Sequence, residues 1–141
     1  MPYQFLEHTA DIAVCISGDT PESLFTSAAE AWMEAAAEVS GNPAASNHAI
    51  ELSESTAEEL LVAFLSELNF LLLTRHRFCT AVNSLSLNRT PDSWKLSCSL
   101  SCTDVVQGQV ILKEEIKAVT FHKMDITFSN GLWSTYVVFD I

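Results

Sequence analysis

Hydrophobic and polar residues alternate along several short stretches of the chain, which is the period of a β-strand with one buried face. Tyr3 to Leu6 has an extended pattern, and Ile12 to Ile16 continues it with apolar residues at every second position. The clearest alternation runs from Trp94 to Cys102, where apolar residues and cysteines alternate with Lys and Ser. These stretches predict a protein in which antiparallel sheet predominates.

The second half of the chain continues this pattern. Asn130-Gly131 is a strong signal for a tight hairpin between two β-prone stretches. Those two stretches are Asp125–Ser129 and Trp133–Ile141. Further strands are predicted at Ala49–Leu52, at Ala81–Asn88 and, as one long extended segment, at Val110–His122, with Ala44–Asn47 as a loop.

The first predicted helix is marked by its start. Thr20 is a favourable N-cap, and Pro21 suits the first helical position. Apolar residues then recur at helical spacing, and the Gly41-Asn42-Pro43 sequence predicts the end of the helix.

A second helix is predicted after Ser55-Thr56-Ala57-Glu58-Glu59, which carries the capping-box spacing twice. A leucine-rich stretch at helical period follows and extends towards Arg75 and Arg77. Its periodicity favours core packing over a membrane or partner helix.

The order of elements is two strands, a helix, a strand, a helix and then a run of strands. This order predicts an α+β fold, mainly antiparallel sheet with two packed helices. The 141 residues fit a single domain over residues 1–141.

Charge narrows the functional classes. Asp and Glu number 18 against 7 Lys and Arg, which gives a formal net charge of −11. Since nucleic-acid binding draws affinity from phosphate neutralisation, this balance argues against direct high-affinity binding of RNA or DNA. It favours a partner with a basic surface or a bound cation, although solubility alone would also explain it.

Localisation and redox state follow from what the sequence lacks. No apolar run approaches the roughly 20 residues that span a bilayer, and no signal peptide is recognisable, so we expect a cytoplasmic protein without membrane contact. The four cysteines, Cys15, Cys79, Cys98 and Cys102, form no Cys-x-x-Cys pair. They are interpreted as small buried or half-buried thiols.

The most unusual chemistry lies in the stretch Phe139-Asp140-Ile141, which ends an apolar, β-prone run. If that strand pairs to its end, the α-carboxylate of Ile141 is held one residue from the Asp140 carboxylate. Adding Asp11 would give an all-oxygen site suited to a hard cation such as Mg²⁺, Mn²⁺ or Ca²⁺. The alternative is that Asp140 is an ordinary solvent-facing strand residue.

Three further polar residues are candidates for supporting roles. His8 could orient a ligand if the segment to Asp11 bends, or it could be a partly buried histidine beside a turn-stabilising aspartate. Lys117 and His122 lie five residues apart. Lys117 either reaches an anionic group or discourages aggregation at a strand edge. The sequence contains no glycine-rich phosphate loop, Gly-x-Ser-x-Gly or His-Glu-x-x-His motif, which argues against a stand-alone nucleotide-binding enzyme.

Three segments in register resemble the archease family: residues 5–12 (FLEHTADI), residues 117–122 (KAVTFH) and residues 139–141 (FDI). Glu58-Glu59-Leu60-Leu61 and the helix it starts are also similar, so the resemblance covers essentially the whole chain. One departure is that the Arg-His pair common before Leu112-Lys113 is absent, since Gln109-Val110-Ile111 stands there. This puts partner contacts through that strand in doubt.

The resemblance implies an α+β fold and a divalent metal site at Asp11, Asp140 and Ile141, filled by Ca²⁺, Mg²⁺ or Mn²⁺. It implies an accessory protein that is not itself an enzyme. Archeases activate an RtcB-type RNA ligase of tRNA splicing and RNA repair, by promoting its GTP-dependent guanylylation and its multiple turnover. Lys117, His122 and His8 are the positions expected to support the site or contact the partner.

Two other functions remain open from the residues. A small metal-dependent hydrolase would use the same carboxylates, with His8 or His122 as general base. A chaperone-like modulator of RNA-modifying enzymes would rely on an exposed apolar surface, and the carboxylates would be dispensable.

Overall fold

The α+β fold predicted from the sequence is confirmed by a computed structural model, which describes residues 2–6, 11–105 and 108–141. Two helices pack with short sheets whose strand pairs are all antiparallel. The helices are α1 (Pro21–Ala36) and α2 (Ala57–Arg75). The strands are β1 (Tyr3–Leu6), β2 (Asp11–Gly18), β3 (Ala37–Val39), β4 (Ala45–Glu54), β5 (Arg77–Arg89), β6 (Trp94–Asp104), β7 (Val110–Leu112), β8 (Ala118–Thr120), β9 (Thr127–Ser129) and β10 (Leu132–Asp140).

The largest sheet has five strands, with β1, β2, β10 and β8 side by side and β9 also paired with β10. Strand β10 is therefore central, and it pairs with β2 along eight residues from Trp133 to Asp140. The predicted hairpin between β9 and β10 is confirmed. Asn130 (φ 54°) and Gly131 (φ 78°) both adopt the positive φ that a two-residue type I′ turn requires.

A second sheet has three strands in the order β4, β6, β5. The predicted alternation of β6 is confirmed, because Leu96, Cys98, Leu100 and Cys102 are buried while Lys95 and Ser97 are exposed. Strand β4 is longer than predicted. It begins at Ala45, inside the predicted loop, because it pairs with β6 over its whole length.

Helix α1 begins as predicted, since the Thr20 hydroxyl accepts a hydrogen bond from the Ser23 backbone N–H at 3.0 Å. Its predicted end near Gly41 is wrong, because the helix ends at Ala36. Ala37 already has an extended backbone (φ −161°, ψ 168°), and residues 37–39 pair as β3 with β7. A distant strand therefore overrides the local helical preference of the Ala-rich sequence.

Helix α2 uses the second of its two possible capping boxes. The Thr56 hydroxyl accepts from the Glu59 backbone N–H at 3.1 Å and donates to the Glu59 carboxylate at 2.9 Å. The helix ends at Arg75, followed by His76 in the left-handed region (φ 55°). Most of its apolar residues are buried, but Phe70 and Leu73 remain 44% and 40% exposed.

The prediction of one long extended segment over Val110–His122 is wrong. The segment divides into β7 and β8, which belong to different sheets, and residues 113–117 between them form no strand. Lys113, Glu114 and Glu115 are exposed. Ile116 is the exception, since it is 1% exposed and anchors this connection in the core.

Buried side chains from both helices and from each sheet form one hydrophobic cluster. Aromatic pairs connect its parts, with Phe25 stacked on Phe64 and Trp32 against Phe78. The expected state of the cysteines is confirmed: all four are free, Cys15 is half-buried, and the others are buried. Neither helix among the described residues is long and apolar enough to cross a membrane.

Candidate functional site

The ends of β2 and β10 bring two aspartates together. Asp11 and Asp140 are direct partners in the antiparallel register, although they lie 129 positions apart in the chain. Directly opposed residues have Cβ atoms roughly 4.5–5.5 Å apart and project from the same face of the sheet. Like charges in that arrangement are destabilising unless something positive offsets them. The pairing therefore favours a bound cation at this end of the sheet.

The two carboxylates differ in exposure. Asp140 is exposed and accessible to a partner, whereas Asp11 is half-buried and its Oδ1 atom is shielded from solvent. Ile141 follows Asp140, and its side chain packs against the hydrophobic core. This packing holds the Ile141 backbone beside the pair.

Lys117 lies next to the paired aspartates. Its backbone N–H donates to the Asp140 carbonyl at 2.7 Å, and the adjacent Ala118 is the register partner of Asp140 in β8. The Lys117 side chain is exposed and borders a groove of about 330 Å³ between α2 and β8. The Lys117 backbone therefore lies at the same end of the sheet as the carboxylates, with its side chain on the face that packs against α2.

A buried amide fixes the segment that carries Lys117. The Asn69 Nδ2 donates to the Ile116 carbonyl at 2.7 Å, and its Oδ1 accepts from the Trp32 indole N–H at 3.1 Å. Asn69 is 7% exposed and Trp32 is fully buried. One side chain of α2 thus joins α1 to the connection before β8, and it positions Lys117 indirectly.

Sequence reasoning did not identify Asn69. The available signal was an amide between Leu68 and Leu71 on the apolar side of an otherwise leucine-rich helix. A polar residue there needs buried partners, because an unsatisfied amide in the core is costly.

His122 is not close to the paired aspartates. It follows β8 in a turn where the Met124 N–H donates to the Phe121 carbonyl at 3.0 Å. Four residues separate it from Ala118, the register partner of Asp140, which is about 13 Å along a strand. His122 is exposed. The prediction for His8 falls outside the described residues.

The donor set is compatible with a hard cation. Asp11, Asp140 and the backbone at Ile141 supply only oxygen ligands, which Mg²⁺, Mn²⁺ and Ca²⁺ prefer. Within residues 2–6, 11–105 and 108–141, no three His, Cys, Asp or Glu side chains are close enough to hold a metal. A cation here would therefore need backbone or terminal oxygens in addition to the two carboxylates.

The fold and the site together define a small acidic α+β protein with carboxylates paired across two central strands. Residues 3–141 match the model of the Archease protein family (MTH1598/TM1083), and the chain belongs to this family. It is 31% identical to the archease of Archaeoglobus fulgidus over 141 residues, covering all of both chains. It is 28% identical to the archease of Methanopyrus kandleri, again over the full length of both.

Solved structures have the same fold as this chain. The solution structure of Methanobacterium thermoautotrophicum protein 1598 aligns with a TM-score of 0.82 at 27% identity and covers 99% of both chains. A crystal structure from Thermotoga maritima, described as an archease and possible chaperone, aligns with a TM-score of 0.58 at 23% identity. It covers 96% of this chain and 94% of the other. The family resemblance read from the three sequence segments is thereby confirmed.

Proposed function

We propose that this chain is a cytoplasmic, metal-binding accessory protein that activates an RtcB-type RNA ligase. In this role it promotes GTP-dependent guanylylation of the ligase and repeated turnover in tRNA splicing and RNA repair. The chain carries out no catalysis of its own. The observation that supports the proposal is the direct pairing of Asp11 with Asp140, next to Ile141 and Lys117, in a member of the archease family.

Charge supports the choice of partner. With a net charge of −11, the protein is suited to dock on the basic cleft in which a ligase holds GTP and RNA. Asp140 and Lys117 are both exposed at one end of the sheet, so that end can enter such a cleft. The protein therefore contacts the ligase and does not need to bind RNA directly.

The side chains of the site have separable roles in this proposal. Asp11 and Asp140 hold a divalent ion, with a backbone oxygen of Ile141 as a further ligand. Such an ion offsets negative charge on a transferring phosphoryl group. Lys117 contacts a phosphate or a partner carboxylate at the rim. His122 lies too far along the sheet to act on the same atoms, and it contacts the partner instead.

The test is guanylylation of a cognate RtcB-type ligase with labelled GTP, with and without this protein. Asp140→Asn and Asp11→Asn should each abolish the stimulation, because both remove a negative ligand while keeping side-chain size. Asp92→Asn is the matched control, since Asp92 is an exposed aspartate in the turn between β5 and β6. It changes the net charge by the same amount and should leave the stimulation intact.

A direct binding readout separates metal binding from partner activity. Thermal melting with EDTA and with added Ca²⁺, Mg²⁺ or Mn²⁺ should show a rise in Tm for the wild type and for Asp92→Asn, but not for Asp140→Asn. In EDTA, Asp140→Asn should equal or slightly exceed the wild type, because it removes the repulsion between the paired carboxylates.

The two alternative functions predict other outcomes. Stimulation that persists in both aspartate variants would refute the metal role and favour a chaperone-like modulator, for which exposed apolar residues such as Phe121 and Phe128 offer a surface. Turnover of phosphoesters by the purified protein alone would favour a hydrolase.

A further inference from the structure

Two buried cysteines face each other in the three-stranded sheet. Cys79 of β5 and Cys102 of β6 are direct register partners, and the Cys79 thiol donates a hydrogen bond to the Ala81 carbonyl at 3.6 Å. Directly opposed residues of an antiparallel pair have Cα atoms about 4.5–5.5 Å apart, within the range that a disulfide spans. The backbone therefore already has the spacing that a covalent link requires.

An arginine side chain lies over this pair. Arg77 begins β5, and its guanidinium donates to the Cys102 carbonyl at 3.5 Å and contacts the Ser46 hydroxyl. Ser46 is the register partner of Cys102 on the other side of β6. The Arg77 side chain thus crosses from β5 over Cys102 towards β4, and its Nε atom is buried there without a hydrogen-bond partner among the described residues.

The two sulfurs have different surroundings. The adjacent Cys79 thiol and, to a lesser degree, the nearby guanidinium lower the pKa of Cys102, although burial opposes them. The adjacent Cys102 sulfur and burial raise the pKa of Cys79. Burial raises the pKa of Cys98 on the same strand to about 11. Because the Arg77 guanidinium lies beside Cys102 and the thiolate is the reactive form, Cys102 is the nucleophile of the pair and Cys79 supplies the second thiol.

We propose that Cys79 and Cys102, covered by Arg77, form a redox-responsive dithiol that hydroperoxides close to a disulfide. The Cys102 thiolate attacks the peroxide oxygen, giving a sulfenic acid and releasing one molecule of water or alcohol. The Cys79 sulfur then attacks the sulfenic sulfur, its proton leaves with the hydroxide as water, and the S–S bond forms. Two sulfurs each lose one electron and the peroxide gains two.

Access to the pair depends on Arg77. Cys79 is fully buried and Cys102 is 1% exposed, whereas Arg77 is only half-buried. Oxidation therefore proceeds when the Arg77 side chain moves away from the end of the sheet, and it is slower than oxidation of an exposed thiol. The resulting link would fasten the start of β5 to β6, immediately after α2. This inference is independent of the paired aspartates and of the proposed ligase partner.

The experiment oxidises the native full chain with hydrogen peroxide, blocks remaining thiols in denaturant, and maps disulfides in a non-reduced tryptic digest. Cys79 falls in the peptide spanning residues 78–89, and Cys98 and Cys102 fall in the peptide spanning residues 96–113. We expect these peptides to be linked, with fragmentation placing the bond at Cys102. Two of the four thiols should be lost, and the urea midpoint of the oxidised protein should rise.

Variants provide the controls. Cys98→Ala should keep the link, and Cys79→Ala should lose it and stop at a sulfenic acid that dimedone traps. Arg77→Gln should change the oxidation rate several-fold, since it removes the guanidinium beside Cys102. An oxidised wild type that retains all four thiols, or a bond mapped to Cys98, would overturn the proposal. An unchanged rate in Arg77→Gln would overturn the role given to that residue.

Discussion

The buried Asn69 amide gives the sharpest test of the packing. Asn69→Ala would remove two hydrogen bonds at once and leave two buried groups without partners, the Trp32 indole N–H and the Ile116 carbonyl. An orphaned buried polar group costs about 1–3 kcal/mol, so the variant should lose on the order of 4 kcal/mol of unfolding free energy. That is a large share of the roughly 5–15 kcal/mol that stabilises a typical domain.

The assay is equilibrium unfolding in urea, followed by tryptophan fluorescence and far-UV circular dichroism. With a slope of about 2 kcal/mol per molar urea, the midpoint should fall by about 2 M without a change in slope. Ser66→Ala is the matched control, because Ser66 is an exposed polar residue of the same helix. The unfolding free energy of Ser66→Ala should change by less than about 0.5 kcal/mol.

A double-mutant cycle then assigns the loss to the predicted contact. In a Trp32→Phe background the indole donor is absent, so Asn69→Ala should cost about 1–2 kcal/mol less than in the wild type. Amide hydrogen exchange at Lys117, whose N–H donates to Asp140, should accelerate in Asn69→Ala. A loss of unfolding free energy below about 1 kcal/mol in Asn69→Ala would refute the idea that Asn69 fixes this segment. Additive effects of Asn69→Ala and Trp32→Phe would refute it as well.

Three further predictions follow from local structure. Thr56→Ala should cost about 1 kcal/mol in urea unfolding, whereas Ser55→Ala should be nearly neutral, because only the Thr56 hydroxyl caps α2. Gly18→Ala should lower the unfolding free energy by several kcal/mol, since an added Cβ would lie 2.6 Å from the Leu24 backbone nitrogen. Gly131→Ala should lower it by only about 1 kcal/mol, because there is open space around Gly131 and the only obstacle is its φ of +78°. Burial raises the Cys98 pKa from 9.0 to about 11, so the stability due to the neutral thiol is complete below pH 9 and is lost as the pH rises to 11. Cys98→Ala should therefore show a shallower alkaline decline of the unfolding free energy, by about 2–3 kcal/mol in total.

Local signals in the sequence were sufficient for the starts of both helices, for β6 and for the β9–β10 hairpin. In each case the determinant lies within a few residues, such as Thr20 with Pro21 or Asn130 with Gly131. The end of α1 could not be predicted in this way. Residues 37–39 leave the helix because β7, some 70 residues later, pairs with them. No residue near Ala36 indicates that residues 37–39 will pair with β7.

The candidate site was likewise predictable from the sequence only in part. The types of residue that gather there, carboxylates with a lysine nearby, were recognisable from the sequence, and the structure pairs Asp11 with Asp140 and places the Lys117 backbone beside them. The distance of His122 from the aspartates was not predictable, because it follows from the register of β8 with β10, which pairs Ala118 with Asp140. The irregular stretch before β8 exists because Ile116 is anchored by Asn69, a contact between residues 47 positions apart.

The pairing of β2 with β10 has a consequence for the order of folding. Helix α2, β5 and β6 follow one another in the chain and can make their contacts early, because short loops lose little entropy on closing. Asp11 and Asp140 meet only after the residues between them have been made and β10 has paired with β2. During synthesis, a partly formed molecule would lack the doubly charged site. A binding partner that contacts both carboxylates would therefore distinguish molecules in which β10 has paired with β2 from those in which it has not.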